Sequence, residues 1–354
     1  MIKRINRLRA CFYRLGIDAV YLTSAVSHRY FTGIDNPDGA LLITHDSAYA
    51  LEDFRYIEVA GRSLGKIYKV TIMEKDLASQ LSAILKNEKI KRLGFENNSM
   101  SVARYEKYKS ELKARLIGIG NTVAELRAIK DETEIASIVK AQMIAEIAYD
   151  HILKMLSPTM TENDVAAELE YIMRKNGAED KSFDTIAVSG AKSSMPHGVP
   201  SDTKLQRGFL TMDFGATVDG YHSDMTRTVC IGYADSEMKR LYSTVLMAQR
   251  EALCRISCGM LCSDADKIAR DIIDKDYKGC FGHSLGHGVG LEIHESPNLS
   301  PSSNKILTRG NIVTVEPGIY IAGKYGCRIE DMVLIEDNYV RNLTKSPKEL
   351  IEII

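Results

Sequence analysis

The sequence predicts an α+β protein of two domains, the first smaller and α/β in pattern. Three observations carry that prediction. The chain has 354 residues, more than the roughly 100–200 of a typical domain. Residues 1–122 alternate short helix-like and strand-like runs. From 123 to 354, long helix-like stretches are interleaved with strands, a mixture that fits helices covering one face of a curved, largely antiparallel sheet.

In the first domain, NRLRACFYRLG is basic and amphipathic. It lacks the Ser richness of a transit peptide and runs directly into the strand-like AVYLT, so it reads as a first structural helix. DAVYLT, GALLIT, SAYALED and RLGFE read as strands, DLASQLSAILKN and ARYEKYKSEL as helices. This half has no phosphate-binding glycine loop and no His or Cys cluster, which suggests a supporting or oligomerising role. GIGNTVAEL, residues 118–126, is the expected junction.

In the second domain, KDETEIASIVKAQMIAEIAYDHILKML reads as a long helix stopped by Ser157-Pro158. A second helix is signalled at its start by Thr161-Glu162-Asn163 and at its end by Gly177, and a third runs from Ser236 to Ile256. SFDTIAVSG, GFLTMDFGAT, HSDMTRTVCIG, NIVTVEPGIYIA and CRIEDMVLIED read as strands.

Composition narrows the function. A hydrophobic content of 45% with 26% charged residues, and no apolar run near the ~18 residues of a membrane span, predict a soluble protein without a membrane partner. The net charge of −1 provides no basic field for nucleic acid. Seven cysteines, an odd number, fit reduced thiols in a cytoplasm. Cys254, Cys258 and Cys262 are spaced four apart, but Gly259 is expected to end the helix between them, so they need not share a face.

MDFGATVDGYHSDMTRT, residues 212–228, holds three aspartates. Asp219-Gly220 is a two-residue hairpin signal, because a type I′ turn needs positive φ at both positions. Val218 then faces Tyr221 and Asp213 faces Thr226, which puts Asp224 on the face of Asp213. Diagonal neighbours lie about 7–8 Å apart at Cα, close enough to hold one ion. The alternative is that one carboxylate pairs with Arg227 or Lys204 and the other is solvated.

FGHSLGHGVGLEIHESP adds His283, His287 and His294 among glycines, which suggests backbone that passes close to something. TVEPGIY and CRIED place Glu316 and Glu330 on two strands joined by IAGKYG. A turn centred near Gly323 sets them opposite each other, with the odd loop length leaving the register open. Pro317 holds Glu316 extended and removes a ladder donor. For Glu330 the alternative is a surface pair with Arg328. Two Asp, one or more His and two Glu form a hard-oxygen and imidazole set suited to Mn²⁺, Fe²⁺, Co²⁺ or Zn²⁺. Five ligands exceed the need of one catalytic ion and suit two ions about 3.5–4 Å apart.

These residues resemble the pita-bread metallopeptidases, in the branch of prolidases and aminopeptidases P. HSLGHGVGLEIHE (283–295) carries the histidine signature, and MDFGA, YHSDMTRT, TVEPGIY, RIED, PHG (196–198) and LRAIKDETEI (126–135) follow the pattern. GIDAVYLTS and RYFTGI resemble a creatinase-type N-terminal domain. The resemblance implies a pita-bread catalytic domain over 123–354 behind a creatinase-type domain over 1–122. It implies two divalent ions per subunit, with Mn the first choice and Co, Zn or Fe the others, held by Asp213, Asp224, His287, Glu316 and Glu330. Asp224 and Glu330 would bridge them.

His197, His283 and His294 would surround the substrate, His197 and His294 stabilising the tetrahedral intermediate or the leaving nitrogen. Arg328 would orient a ligand carboxylate or the substrate. A metal-bridging hydroxide would attack the scissile carbonyl, with Glu316 moving a proton. The implied substrates are proline-containing di- or oligopeptides, the implied activity Xaa-Pro dipeptidase, and the implied assembly a homodimer. Aminopeptidase P-like action on longer X-Pro peptides is the close rival, and a non-catalytic binding module a distant one. Ser257-Cys258-Gly259 and Glu52-Asp53-Phe54-Arg55 depart from the family pattern. Both are expected to affect packing rather than activity, and Glu292 and Glu295 are not assigned as ligands.

Overall fold

The amphipathic start of the chain forms helices α1 (Ile2–Ala10) and α2 (Phe12–Leu15), which bury Ile5, Leu8 and Phe12. The computed structural model describes residues 1–354, and the chain divides into two units, Met1–Arg127 and Ala128–Ile354.

In the first unit, strands β1 (Ala19–Leu22), β2 (Ala40–Thr44), β3 (Ala48–Glu52), β4 (Lys69–Ile72), β5 (Arg92–Phe95) and β6 (Arg115–Gly118) form one sheet in the order β4-β3-β2-β1-β5-β6. It is mixed: β1 is antiparallel to β2 and parallel to β5. Helices α3 (Ala25–Thr32), α4 (Ile57–Leu64), α5 (Leu77–Asn87), α6 (Val102–Glu111) and α7 (Thr122–Ala128) complete the α/β pattern. Sequence reading missed α3 and α4, each 8 residues long and too short to display a helical period. It also missed β4 and β6, the two sheet edges, which are only partly buried and therefore carry little apolar signal. Glu52 is fully buried, accepting from Asn36 Nδ2 at 2.5 Å and paired with His28 Nε2 at 3.0 Å.

The second unit begins with α8 (Glu132–Met155), closed at its start by a capping box between Asp131 and Glu134. Next comes α9 (Glu162–Lys175), capped by Thr161 and followed by Gly177 at φ 100°. Strands β7 (Asp180–Lys181), β8 (Ile186–Ser189), β9 (Gly208–Phe214), β10 (Ala216–Val218), β11 (Tyr221–His222) and β12 (Met225–Ile231) lead to helices α10 (Ser236–Arg255) and α11 (Cys262–Tyr277). The chain closes with β13 (Gly286–Gly288), β14 (Glu295–Leu299), β15 (Ile312–Val315), β16 (Gly318–Ile321), β17 (Tyr325–Arg328), β18 (Asp331–Ile335), β19 (Val340–Asn342) and β20 (Glu352–Ile353). One core packs α8 and α9 against β8, β9, β10 and β12, and a second packs α10 and α11 against the later strands. The helix α11 is an addition to the sequence reading. Its buried face includes Asp266, paired with Arg270, so its apolar stripe is interrupted. The helix α10 stops at Arg255, ahead of the Gly259 expected to end it, so Cys254 lies in its last turn, Cys258 in the loop and Cys262 at the start of α11.

The two helix pairs repeat in geometry although the sequence shows no repeat. Before α9, the Met160 carbonyl accepts from Leu205 N–H and Glu162 N–H donates to the Thr203 carbonyl, at 2.9 and 3.0 Å. Before α11, the Met260 carbonyl accepts from Leu307 N–H and Cys262 N–H donates to the Lys305 carbonyl, both at 2.9 Å. Glu162 and Cys262 are the first residues of their helices and occupy equivalent places.

Candidate metal centre

Asp219 and Gly220 adopt φ 51° and 78°, the left-handed pair a type I′ turn requires. Val218 faces Tyr221 and Asp213 faces Thr226, the register read from the sequence. The ladder pauses at Gly215, where a Cβ would lie 1.9 Å from the Ser223 carbonyl oxygen. Asp224 follows that pinch, immediately before β12.

The glutamate hairpin keeps its register too. Gly318 pairs with Arg328 across a turn that places Gly323 at φ 73°. Continuing two residues along each strand sets Glu316 opposite Glu330. At that level the hairpin stops bonding to itself and turns to its neighbours, since Pro317 has no N–H. Glu316 N–H donates to the Leu285 carbonyl at 2.8 Å and Glu330 N–H to the Thr226 carbonyl at 3.1 Å. One glutamate is thereby stitched to the histidine run and the other to the aspartate hairpin.

Close backbone approach explains the glycines around His287. A Cβ on Gly286 would sit 2.0 Å from the Thr314 carbonyl oxygen, so no larger residue fits between β13 and β15. His287 N–H donates to Thr314 Oγ1 at 3.0 Å, and that hydroxyl donates to Glu316 Oε1 at 3.0 Å. The His287 Nδ1–H faces the Gly288 carbonyl at 3.1 Å, which leaves Nε2 as the lone-pair nitrogen. Nε2 stands 3.5 Å from Asp224 Oδ2 and 3.4 Å from Glu316 Oε1. Donor atoms of Asp224, His287 and Glu330 all lie within 4.8 Å of one another.

The charge balance calls for cations. Burial first, then repulsion from neighbouring carboxylates, raises Asp224 and Glu330 well above the usual carboxylate range. Burial pushes Glu316 up to about 8, against the pull of Arg328. Asp213 Oδ1 and Glu330 Oε1 are buried without a hydrogen-bond donor, and such orphans are costly unless a ligand satisfies them. Their second oxygens are committed: Arg328 donates to Asp213 Oδ2 at 2.5 Å and Thr226 Oγ1 to Glu330 Oε2 at 2.6 Å. Oxygen donors with a neutral imidazole fit divalent transition ions.

Neither alternative pairing considered for the carboxylates occurs. The Arg227 guanidinium, fully buried, pairs with Asp331 at 2.8 Å and donates to the Glu330 carbonyl at 2.5 Å. Arg328 pairs with Asp213 rather than Glu330, and also donates to Tyr320 Oη at 2.7 Å and the Pro196 carbonyl at 3.3 Å. Tyr320 was missed by sequence reading. Its hydroxyl lies 2.9 Å from His283 Nε2, while His283 Nδ1 faces the Ser284 carbonyl at 2.8 Å. Burial, reinforced by the Arg328 charge, pushes His283 down to about 4, so it is a neutral acceptor for the tyrosine proton. Burial also lowers His294, whose ring packs edge-on against His287 with centroids 4.4 Å apart. Glu295 pairs with Lys130 at 3.2 Å, both side chains buried.

All nine expected residues, His197, Asp213, Asp224, His283, His287, His294, Glu316, Arg328 and Glu330, line one cavity of about 870 Å³. Phe183, Ile186, Val199, Pro200 and Ile293 give it apolar walls. His197 reaches it from the segment between β8 and β9, where a short 3-10 helix, Gly190–Ser194, with Ser193 buried, leads into a turn that exposes Met195, His197 and Val199.

Fold and cavity together define a two-unit protein whose second unit gathers carboxylates and histidines fit to hold a metal ion. Residues 136–337 match metallopeptidase family M24 and residues 4–129 match the creatinase/prolidase N-terminal domain. The chain belongs to metallopeptidase family M24, the pita-bread metallopeptidases, and is of prolidase type. It is 43% identical to an uncharacterized peptidase, YqhT, of Bacillus subtilis, over 98% of this chain and 99% of that one. The solved Xaa-Pro dipeptidase from Bacillus anthracis superposes with a TM-score of 0.96 at 40% identity, covering 99% of each chain. The X-Pro aminopeptidase from Thermotoga maritima gives 0.92 at 36% identity, over 99% of this chain and 100% of that one.

Proposed function

We propose that the protein is an Xaa-Pro dipeptidase dependent on two divalent ions per subunit, Mn first and Co, Zn or Fe otherwise. We further propose that it works as a cytoplasmic homodimer; no helix is long and apolar enough to cross a membrane. The observation that carries the reading is the convergence of Asp213, Asp224, His287, Glu316 and Glu330 on the floor of one cavity, with two of their oxygens orphaned. The ions, when bound by those five residues, supply Lewis acidity and an activated water.

The chain's own groups do the rest. The Thr314 hydroxyl holds Glu316 in place, where it can take a proton from the attacking water and pass it on. Arg328 fixes the Asp213 carboxylate by one oxygen and leaves the other for an ion. His294 and His197 face the cavity where a hydrogen bond to the developing oxyanion or to the leaving nitrogen would act. Phe183, Ile293 and Val199 exclude water and offer apolar surface to a proline ring. An X-Pro bond has no N–H to donate, so recognition of that bond falls to shape and to these walls.

A second reading, aminopeptidase P-like release of the residue before proline from longer peptides, is favoured by one observation. The fixed cations lining the cavity are both engaged. Arg328 is bound to Asp213, and Lys181 to Glu170 and Asp184 at 3.2 and 3.0 Å. A dipeptide's carboxylate would therefore have to draw Lys181 from its exposed partners or rely on histidine or water. Metal-loaded protein assayed on Gly-Pro and Met-Pro against tri- and pentapeptides with proline second decides between them. Turnover of the dipeptides sustains the first reading, and full activity on the longer peptides with none on dipeptides replaces it by the second.

A further inference from the structure

We infer that Glu162 is a positioning residue for His197, holding both stems of the loop that carries it. The inference rests on the role given above to His197. Glu162 is fully buried at the first turn of α9. Its Oε1 accepts from Ser189 N–H at 2.8 Å and Ser189 Oγ at 3.3 Å, on the incoming stem. Its Oε2 accepts from Ser201 N–H at 3.2 Å and Ser201 Oγ at 2.9 Å, on the outgoing stem. Lys192, within the loop, donates to the same Oε2 at 2.6 Å and to Ser201 Oγ at 3.0 Å. One carboxylate thus closes the excursion from Ser189 to Ser201. At its tip His197 is exposed between exposed Met195 and Val199.

The repeat within the unit separates this role from a structural one. At the equivalent place α11 begins with Cys262, and its backbone docks through the same pair of hydrogen bonds without a carboxylate. Seating the helix therefore does not require Glu162, and every side-chain bond Glu162 accepts goes to the loop. The second helix pair holds its own histidine segment with different residues. Asp266 on α11 accepts from Leu285 N–H, and its partner Arg270 donates to the His283 carbonyl, at 2.9 and 2.8 Å. In each half, the second helix secures the segment that brings a histidine to the cavity.

The test compares wild-type protein with Glu162→Ala, Glu162→Gln, Lys192→Ala, His197→Ala and the double variant Glu162→Ala/His197→Ala, by two readouts. Brief thermolysin digestion should cut Glu162→Ala within residues 190–200 at least about tenfold faster than wild type, with Glu162→Gln and Lys192→Ala between the two. In metal-loaded turnover of an X-Pro peptide, Glu162→Ala should lower kcat about tenfold with KM little changed. Glu162→Gln should recover part of that loss, and in the His197→Ala background the Glu162 substitution should have no further effect. A loop as resistant in Glu162→Ala as in wild type overturns the inference. So does an equal kcat loss with and without His197. If Glu162→Ala does not fold, wild-type resistance in Lys192→Ala overturns it instead. Full activity in His197→Ala refutes the role of His197 while a faster loop cut still establishes the clamp, so the two failures are distinguishable.

Discussion

Replacing Glu316 by Gln in the metal-stripped protein should stabilise it, and increasingly so as pH rises. Burial pushes Glu316 up to about 8 in the folded chain, against about 4.3 when exposed. A carboxyl raised in the folded state binds its proton more tightly there, so stability falls as pH climbs from the unfolded value through the folded one. At pH 6 the folded group is protonated and close in shape and charge to glutamine, and Thr314 Oγ1 keeps an acceptor in either case. By pH 8 it is about half ionised. Integrating the two titrations gives the wild type a loss of about 2 kcal/mol over that interval that the variant does not share. In a domain of this size that corresponds to roughly 5 °C in melting temperature. The assay is thermal unfolding of chelator-treated wild type and Glu316→Gln at pH 6, 7 and 8, then again with Mn²⁺. The variant should gain on the wild type with pH when stripped, and Mn²⁺ should reverse the order by stabilising the wild type more. A difference between the two that is flat or shrinks with pH would refute the account of the charge balance.

Other consequences are equally open to measurement. Asp213→Ala should reduce bound divalent metal from about two to one or fewer per chain and lower kcat at least about a thousandfold; unchanged metal content by elemental analysis would count against its place in the ligand set. Arg227→Ala should cost about 2–4 kcal/mol in denaturant unfolding, because it takes the guanidinium donor from the Glu330, Ser346 and Pro347 carbonyls and leaves buried Asp331 with Lys348 as its remaining cation. Gly286→Ala should fail to bind metal or to fold, since its Cβ would overlap the Thr314 carbonyl; normal metal stoichiometry in that variant would show that β13 and β15 can separate.

The parts of the centre that depend on strand arithmetic could be read from the sequence. Alternation of period two and a left-handed Asp-Gly turn fix Asp213 against Thr226, and the hairpin about Gly323 aligns Glu316 with Glu330, a register that the odd loop length alone does not specify. The glycines around His287 announced a close approach but not its partner, the Thr314 carbonyl. Single polar residues whose partners are remote in sequence could not be found that way. Thr314 contacts His287 across 27 residues, Tyr320 reaches His283 across 37, and Glu162 reaches Ser201 across 39. No periodicity marks such pairings. The arginines illustrate the same limit: Arg227 and Arg328 each sit beside a plausible acid in sequence, and which acid each takes is decided by the crossing of two hairpins. The helix α11 escaped notice because an Asp266–Arg270 pair interrupts its apolar face.

The break in the glutamate hairpin, where Glu316 and Glu330 give their backbone N–H groups to other strands, has a consequence for how the protein acquires its ions. Those bonds join three segments that are separate along the chain; Glu330 and Thr226, for instance, are 104 residues apart. Pairings of that span close late in folding, and a nascent or partly folded chain does not present the ligand set at all. Metal capture then reports completed assembly rather than guiding it. Once ions are in place, parting any of the three segments means giving up coordination as well as hydrogen bonds, so occupancy should slow unfolding more than it speeds folding.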